Sequence, residues 1–245
     1  MISTNFNSTH YLLSTLKEIV PKCRFYFAAS SELFGNAQNS PQNEETKFNP
    51  RSIYGISKLA SFYVVKNYRE HHGMYACSGI SYNHESVRRG NIFVTRKITM
   101  SVAKIFLEQQ KKLELGNIDA IRDWGYAPEY IIAMWKMLNN PHGPNDYVIS
   151  TGVGNTVRDF LKIAFDFVGL DYKNYVEINE NFFRPSEKIP LIGDYSKIKK
   201  DLNWQPKKKF EKIVQEMIEH DLEVLSCNVD VQTCSKLSKN FIINK

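Results

Sequence analysis

Arg24-Phe25-Tyr26-Phe27-Ala28-Ala29-Ser30-Ser31-Glu32 and, one loop later, Tyr54-Gly55-Ile56-Ser57-Lys58 are the stretches on which the reading of this chain turns. The first is short, apolar and aromatic until its last residues, the pattern of a strand buried in a parallel sheet. Ligands of open α/β sheets bind outside the carboxyl ends of the strands. Ser30, Ser31 and Glu32 fall at such an end. The second stretch opens a helix expected over 52–72. Tyr54 and Lys58 are four residues apart and so rise from one face of it. An ammonium beside a phenol favours the phenolate, lowering a tyrosine pKa from about 10 by roughly 1–3 units. Tyr54 is thereby a candidate general base, and serine, glutamate, tyrosine and lysine are expected to converge. The residues alone also allow Ser30 and Ser31 as turn residues, Glu32 as a solvated carboxylate and Tyr54/Lys58 as surface decoration. The same spacing recurs at Tyr195/Lys199, where Leu202-Asn203-Trp204 alongside points to a structural role.

Around these stretches the chain alternates strand and helix. Leu12, Leu13, Leu16 and Ile19 form a helical pattern ended by Pro21. Asn36 to Arg51 is a long polar loop with two prolines, read as a flap over the site. A strand over 75–82 ends in Asn83-His84-Glu85-Ser86, again placing polar groups at a strand end. His84 is a loop histidine or a ligand without a second ligand at useful spacing. Arg88-Arg89-Gly90 is a donor pair suited to phosphate. Arg96 and Lys97 stand near the start of a helix over 93–109, against its dipole. A ligand phosphate would account for them, and so would a solvated face. Further helices are expected at 128–138, 157–168, 195–202 and 210–225, and strands at 112–115, 147–150 and 176–178. Gly152-Val153-Gly154 is a near match to a nucleotide fingerprint, but Val157 replaces its third glycine. It reads instead as a turn into a helix capped by Asn155 or Thr156.

With 245 residues, 42% hydrophobic and 24% charged, the composition is that of a globular protein with a sizeable core. The net charge of +6 favours anionic partners. Lys207-Lys208-Lys209 follows a proline and reads as a solvated face, so nucleic acid is not expected. The four cysteines have no metal-ligand spacing. No apolar run reaches membrane-span length and Met1 to His10 lacks a signal-peptide profile, so the expectation is a cytoplasmic protein with no membrane partner.

Ser30-x-Glu32 followed by Tyr54-x-x-x-Lys58 resembles the active site of the extended short-chain dehydrogenase/reductases. The later motifs narrow the likeness. Asn83-His84-Glu85-Ser86, Arg88-Arg89-Gly90, Phe93-Val94-Thr95-Arg96-Lys97-Ile98-Thr99, Leu115-Gly116-Asn117, Arg122-Asp123-Trp124-Gly125 and Phe183-Arg184-Pro185 resemble the GDP-mannose 4,6-dehydratases. The similarity runs from about Phe25 to Leu222. It implies an α/β fold: a Rossmann-like doubly wound parallel sheet with a smaller C-terminal α/β substrate domain, all within residues 1–225, followed by a loose basic tail at 226–245. It implies a hydro-lyase using NADP, which converts GDP-mannose to GDP-4-keto-6-deoxymannose and water for deoxyhexose nucleotide-sugar synthesis.

By the same resemblance Ser30, Glu32, Tyr54 and Lys58 are catalytic. Tyr54, Lys58, His84 and Arg89 contact the cofactor, and Asn83, Lys97, Arg122, Arg184 and Glu187 hold the GDP-sugar. A homo-oligomer, dimer or tetramer, is implied as well. Departures from the family pattern are Ser30 for threonine, Val87 for proline, and Tyr126 and Pro128 for histidine and lysine. They leave a related hexose or heptose open as the sugar. A superfamily epimerase or reductase, and a catalytically dead remnant, are the alternatives; Glu32 argues for elimination because only a dehydratase needs a carboxylate base at C5. No glycine-rich phosphate-binding turn precedes Phe25. The expectation is therefore a chain lacking the N-terminal glycine-rich part, which binds NADP poorly by itself.

Overall fold

A computed structural model describes residues 1–183 and 189–226. A π-helical turn at Ser3–Asn7 leads into α1 (Ser8–Ile19). Then follow β1 (Phe25–Ser30), α2 (Ile53–His72), β2 (Ala76–Ser81), β3 (Asn83–Glu85) and α3 (Val94–Phe106). Next are β4 (Leu113–Leu115), β5 (Ile121–Tyr126), α4 (Ala127–Leu138), β6 (Tyr147–Ile149) and β7 (Gly154–Thr156). The order closes with α5 (Val157–Phe167), β8 (Val176–Ile178), α6 (Ser196–Leu202) and α7 (Phe210–Ser226). The expected elements are present within a few residues of their expected bounds. β5 was not expected as a strand, because three of its six residues are polar or glycine. The expected tail lies outside the described residues from 227 onward.

The chain divides into two compact units. The first takes Met1–His84, Ile121–Asn155 and Ser186–Lys207; the second takes Glu85–Ala120, Thr156–Pro185 and Lys208–Lys245. The units are thus interleaved in sequence.

In the first unit β1, β2 and β6 form a parallel sheet in that order. Side chains alternate across it, as the two-residue strand period requires. Phe27 and Ala29 of β1 pack with Leu13, Phe62 and Val65 of α1 and α2. Tyr26 points to the other face, where Cys77, Tyr130, Met137, Tyr147 and Trp204 form a second core under α4 and α6. Helices on both faces of a parallel sheet make this a Rossmann-like α/β fold. Gly79 is required by the tight stacking of Tyr26: a Cβ there would lie 2.1 Å from the phenolic oxygen.

Two buried ties fasten the unit. Arg69 of α2 forms a fork on Asp146, at 2.8 and 2.6 Å, and Asp146 also accepts from the Ser78 amide at 2.8 Å. The long polar loop does not hang free as a flap. Gln42, fully buried, accepts from the Tyr82 hydroxyl at 2.8 Å and the Ile192 amide at 3.0 Å. Glu44 accepts from the Val148 amide at 2.7 Å. Two of the loop's polar residues, Gln42 and Glu44, are spent on hydrogen bonds to distant segments, which a lone sequence cannot pair.

In the second unit α3 packs on α7 and α5, through Ile98, Val102, Phe160, Leu161, Val214, Met217 and Ile218, all buried. β4 and β8 pair in parallel at its edge. Thr156 caps α5 in a reciprocal capping box with Asp159, so Thr156 rather than Asn155 is the cap.

Candidate active site

The site of the first unit is built where β1 ends. Ser30 leaves the strand in extended conformation and its hydroxyl accepts from the Glu32 amide at 3.2 Å, capping a single 3₁₀ turn at Ser31–Leu33. The turn lifts Glu32, half-buried, off the strand end. Ser52 caps α2 by accepting from the Gly55 amide at 3.0 Å. This sets Tyr54 and Lys58 in the first turns, on one face.

Gly55 brings the two segments together. A Cβ at this position would sit 2.7 Å from the Glu32 carbonyl oxygen and 3.0 Å from Pro50. Only glycine lets the first turn of α2 ride against the Glu32 backbone. Sequence reasoning passed over it, since a glycine inside a helix usually signals only a cost in helix propensity.

Lys58 reaches back across this junction. Its ammonium donates to the Ala28 carbonyl of β1 at 2.9 Å and lies 5.0 Å from the Phe27 ring centroid and 5.8 Å from that of Tyr54. Burial pushes the Lys58 pKa down. A desolvated ammonium with one carbonyl acceptor is a strong local source of positive potential beside the phenol. No hydrogen bond joins it to the Tyr54 hydroxyl, and Tyr54 is 37% exposed. The pair is open to solvent on the side away from the sheet. Tyr195 of the second pair instead packs edge-on against Trp204, at 6.3 Å, as a core residue.

At the end of β2, Asn83 and His84 are half-buried on β3. The His84 ring stacks on Tyr130 at 4.8 Å, and its Nδ1 lies 2.8 Å from the Tyr82 carbonyl. A carbonyl only accepts, so Nδ1 carries a proton. Arg122 on β5 is half-buried and donates to its own Ile121 carbonyl at 2.7 Å.

Asp123, next to Arg122, is a second residue the sequence reading quoted without a role. Its buried carboxylate accepts from the Thr151 amide and hydroxyl (2.9 and 2.6 Å) and the amides of Gly152 and Gly193 (3.0 and 3.2 Å). The first glycine of the false fingerprint, Gly152, therefore presents its amide to a protein carboxylate. Burial still outweighs these four donors and pushes the Asp123 pKa up.

In the second unit, Arg89 lies 3.7 Å over the Phe93 ring, with Nε 3.3 Å from the buried Glu85 carboxylate. Burial raises the Glu85 pKa against the pull of Arg89. Lys97 donates to the Glu114 carbonyl at 2.7 Å and stands 4.6 Å over the Phe182 ring. Arg96 is explained neither by ligand phosphate nor by a solvated face: it is buried and paired with Asp221 at 2.6 Å. Arg184 and Glu187 lie outside the described residues. Among the described residues no group of three or more His, Cys, Asp or Glu is placed to share a metal ion, and no helix is long and apolar enough to cross a membrane.

A family model described as GDP-mannose 4,6 dehydratase matches residues 1–217. The chain belongs to that family. Over 201 residues it is 51% identical to GDP-mannose 4,6 dehydratase 1 of Arabidopsis thaliana, covering 82% of this chain and 55% of that protein. Over 222 residues it is 47% identical to the GDP-mannose 4,6 dehydratase of Drosophila melanogaster, covering 84% and 56%. The chain spans about half the length of the curated relatives it matches. Among solved structures, RMD from Pseudomonas aeruginosa, complexed with NADPH, superposes with a TM-score of 0.84 at 19% identity, covering 91% of this chain and 74% of that one. At that identity the likeness shows the shared fold. The GDP-mannose 4,6 dehydratase family thus holds both the motif order and the sheet described above.

Proposed function

We propose that this chain carries the acid–base chemistry of a GDP-mannose 4,6-dehydratase, converting GDP-mannose to GDP-4-keto-6-deoxymannose and water. The observation that supports the reading is the close approach of Gly55 to the Glu32 carbonyl, which brings the backbone of the Ser30–Glu32 segment against the first turn of the helix that carries Tyr54 and Lys58. A superfamily epimerase needs the tyrosine and lysine but no carboxylate at this point.

The residues fit a nicotinamide dinucleotide. The Lys58 ammonium suits ribose hydroxyls, the His84 imidazole suits a hydrogen-bonding group of the cofactor, and the Arg89 guanidinium suits phosphate. NADP is the form we infer; the fold neighbour RMD was solved with NADPH. When bound, the cofactor supplies the acceptor and later the donor of hydride. Tyr54, in the field of Lys58, takes the proton of the sugar 4-hydroxyl, and Ser30 hydrogen-bonds the same oxygen. With a ketone at C4, the C5 proton is acidic. Glu32 takes that proton and gives it to the 6-hydroxyl, which leaves as water. The C5–C6 double bond so formed is saturated by the returning hydride at C6 and a proton at C5, and Tyr54 gives up to solvent the proton it took. Asn83, Lys97, Arg122, Arg184 and Glu187 are the proposed contacts to the GDP-sugar, with the arginines suited to its diphosphate. This assignment rests on the sequence motifs.

The enzyme is proposed to be cytoplasmic and homo-oligomeric. Support for the latter is the apolar surface left exposed on α1 and α2, at Tyr11, Leu12, Ile19, Ile53, Ile56 and Tyr63. Light scattering on the purified chain measures the assembly.

The decisive experiment follows GDP-mannose by mass spectrometry and reduced cofactor by stopped-flow absorbance. Tyr54→Phe is expected to block oxidation at C4. Glu32→Gln is expected to allow that oxidation and stall before water is lost. Full turnover by Glu32→Gln would remove Glu32 as the C5 base and favour the epimerase reading.

A further inference from the structure

The second unit contains a buried ion pair that the proposed chemistry leaves unused. Arg96 stands in the first turn of α3, where the helix dipole disfavours a cation. It is only 6% exposed, and Asp221 of α7 is 0% exposed. Arg96 Nη2 lies 2.6 Å from Asp221 Oδ1, while Asp221 Oδ2 accepts from Thr99 Oγ1 at 2.7 Å. The other arm of the guanidinium, Nη1, donates to the Val87 carbonyl.

Val87 belongs to the loop that carries Arg88 and Arg89. The same loop is held from its other end. Buried Glu85 accepts from Thr95 Oγ1 at 2.7 Å, and the Arg89 amide donates to the Ser86 carbonyl at 2.9 Å. Docking of α3 on α7 does not need the charges, because buried apolar residues line both helices. A buried pair of this kind is often replaceable by apolar residues at no loss of stability. What the apolar contacts do not supply is a link to the loop. Only a planar fork with two separate arms grips a carboxylate and a carbonyl together.

We propose that Arg96 and Asp221 are positioning residues, which tie the Val87 carbonyl to α7 and so hold Arg88 and Arg89 in a fixed arrangement for a nucleoside-phosphate ligand. The ligand clause rests on the proposed function; the fixed loop does not. Preorganised donors bind an anion without first losing the entropy of ordering themselves.

Amide hydrogen exchange on the full chain tests this, with Asp221→Asn and Arg96→Lys. The lysine keeps a cation for Asp221 but has no second arm. In both variants residues 86–93 are expected to accelerate about 10-fold more than the buried amides of α3 and α5, each taken relative to its native rate, whatever common acceleration the weakened ion pair brings. Unchanged exchange in 86–93, or a loop already unprotected in the native protein, overturns the proposal. Acceleration in 86–93 no greater than that across α3, α5 and α7 also overturns it, by showing a pair that holds the fold and not the loop. An NADPH titration of Arg89→Ala separates the two claims. Wild-type affinity there removes the cofactor role of Arg89 and leaves the exchange result standing.

Discussion

The strand end of the first unit and the arginine loop of the second are both held in place, by opposite means. At the strand end the determinants are steric and uncharged: a glycine that admits the Glu32 backbone, a serine cap at each turn, and a carbonyl under Lys58. The ionisable side chains stay half-exposed there. In the arginine loop the determinants are themselves charged and buried: Glu85 with Arg89, and Asp221 with Arg96. A group that exchanges protons with substrate must keep access to it, so its support comes from backbone and shape. A group that only presents a fixed charge is supported best by other charges.

If this contrast holds, removing one partner in the loop region has the largest effect on stability. Arg96→Ala leaves Asp221 buried without its cation, and about 3–5 kcal/mol is the expected loss, read by urea unfolding. Gly55→Ala comes next. Alanine is worth roughly 1 kcal/mol over glycine in a helix, but the contact with the Glu32 carbonyl adds overpacking of about 1–3 kcal/mol. A net loss is expected, with loss of turnover as α2 moves off Glu32. A gain in stability would mean that the approach is not tight.

A third test uses pH. Burial raises the Asp123 pKa in the folded state. Between the ordinary carboxylate pKa and that raised value the folded chain holds the proton and the unfolded chain does not. Stability from this group is then lost as pH rises, by at most about 1.4 kcal/mol per unit. Wild type should therefore gain on Asp123→Asn as the pH falls from neutral through the raised pKa, and the gain should level off below the ordinary range. Parallel unfolding curves across pH would show that the four donors balance burial, and a relative loss as the pH falls would show that they outweigh it. The smallest expected stability effect is that of Lys58→Met, within about 0.5 kcal/mol, because a desolvated ammonium contributes little to folding. The same variant should lose activity, since the proposed base loses its cationic neighbour.

Legibility of the chain in sequence followed the range of the interaction. Tyr54/Lys58 and the apolar Phe25–Ser30 run are local patterns, and both took the expected conformation. Arg122 was legible as a motif but not as part of a strand, because Ile121–Tyr126 interrupts its apolar residues with Arg, Asp and Gly. Asp123, Gln42 and Arg96 were misread or passed over for one reason. Each is a polar residue whose partner lies far along the chain, at Thr151, Ile192 and Asp221. Composition alone reads such residues as solvated. Gly55 hid differently: its value lies in the hydrogen that replaces a side chain, and no periodicity records that.

The interleaving of the two units has a consequence for synthesis. The first unit includes β1 and β2, finished at Ser81, yet its last stretch ends at Lys207. At about 5–20 residues per second, a ribosome needs roughly 6–25 s to travel from one to the other. Of the residues that share their cores with Tyr26, Phe27 and Ile80, Val148 and Ile149 are made only about midway through that interval and Trp204 near its end. Neither unit can close behind the ribosome as a finished module, so the nascent chain carries its apolar strands uncovered until both halves of the message have been read.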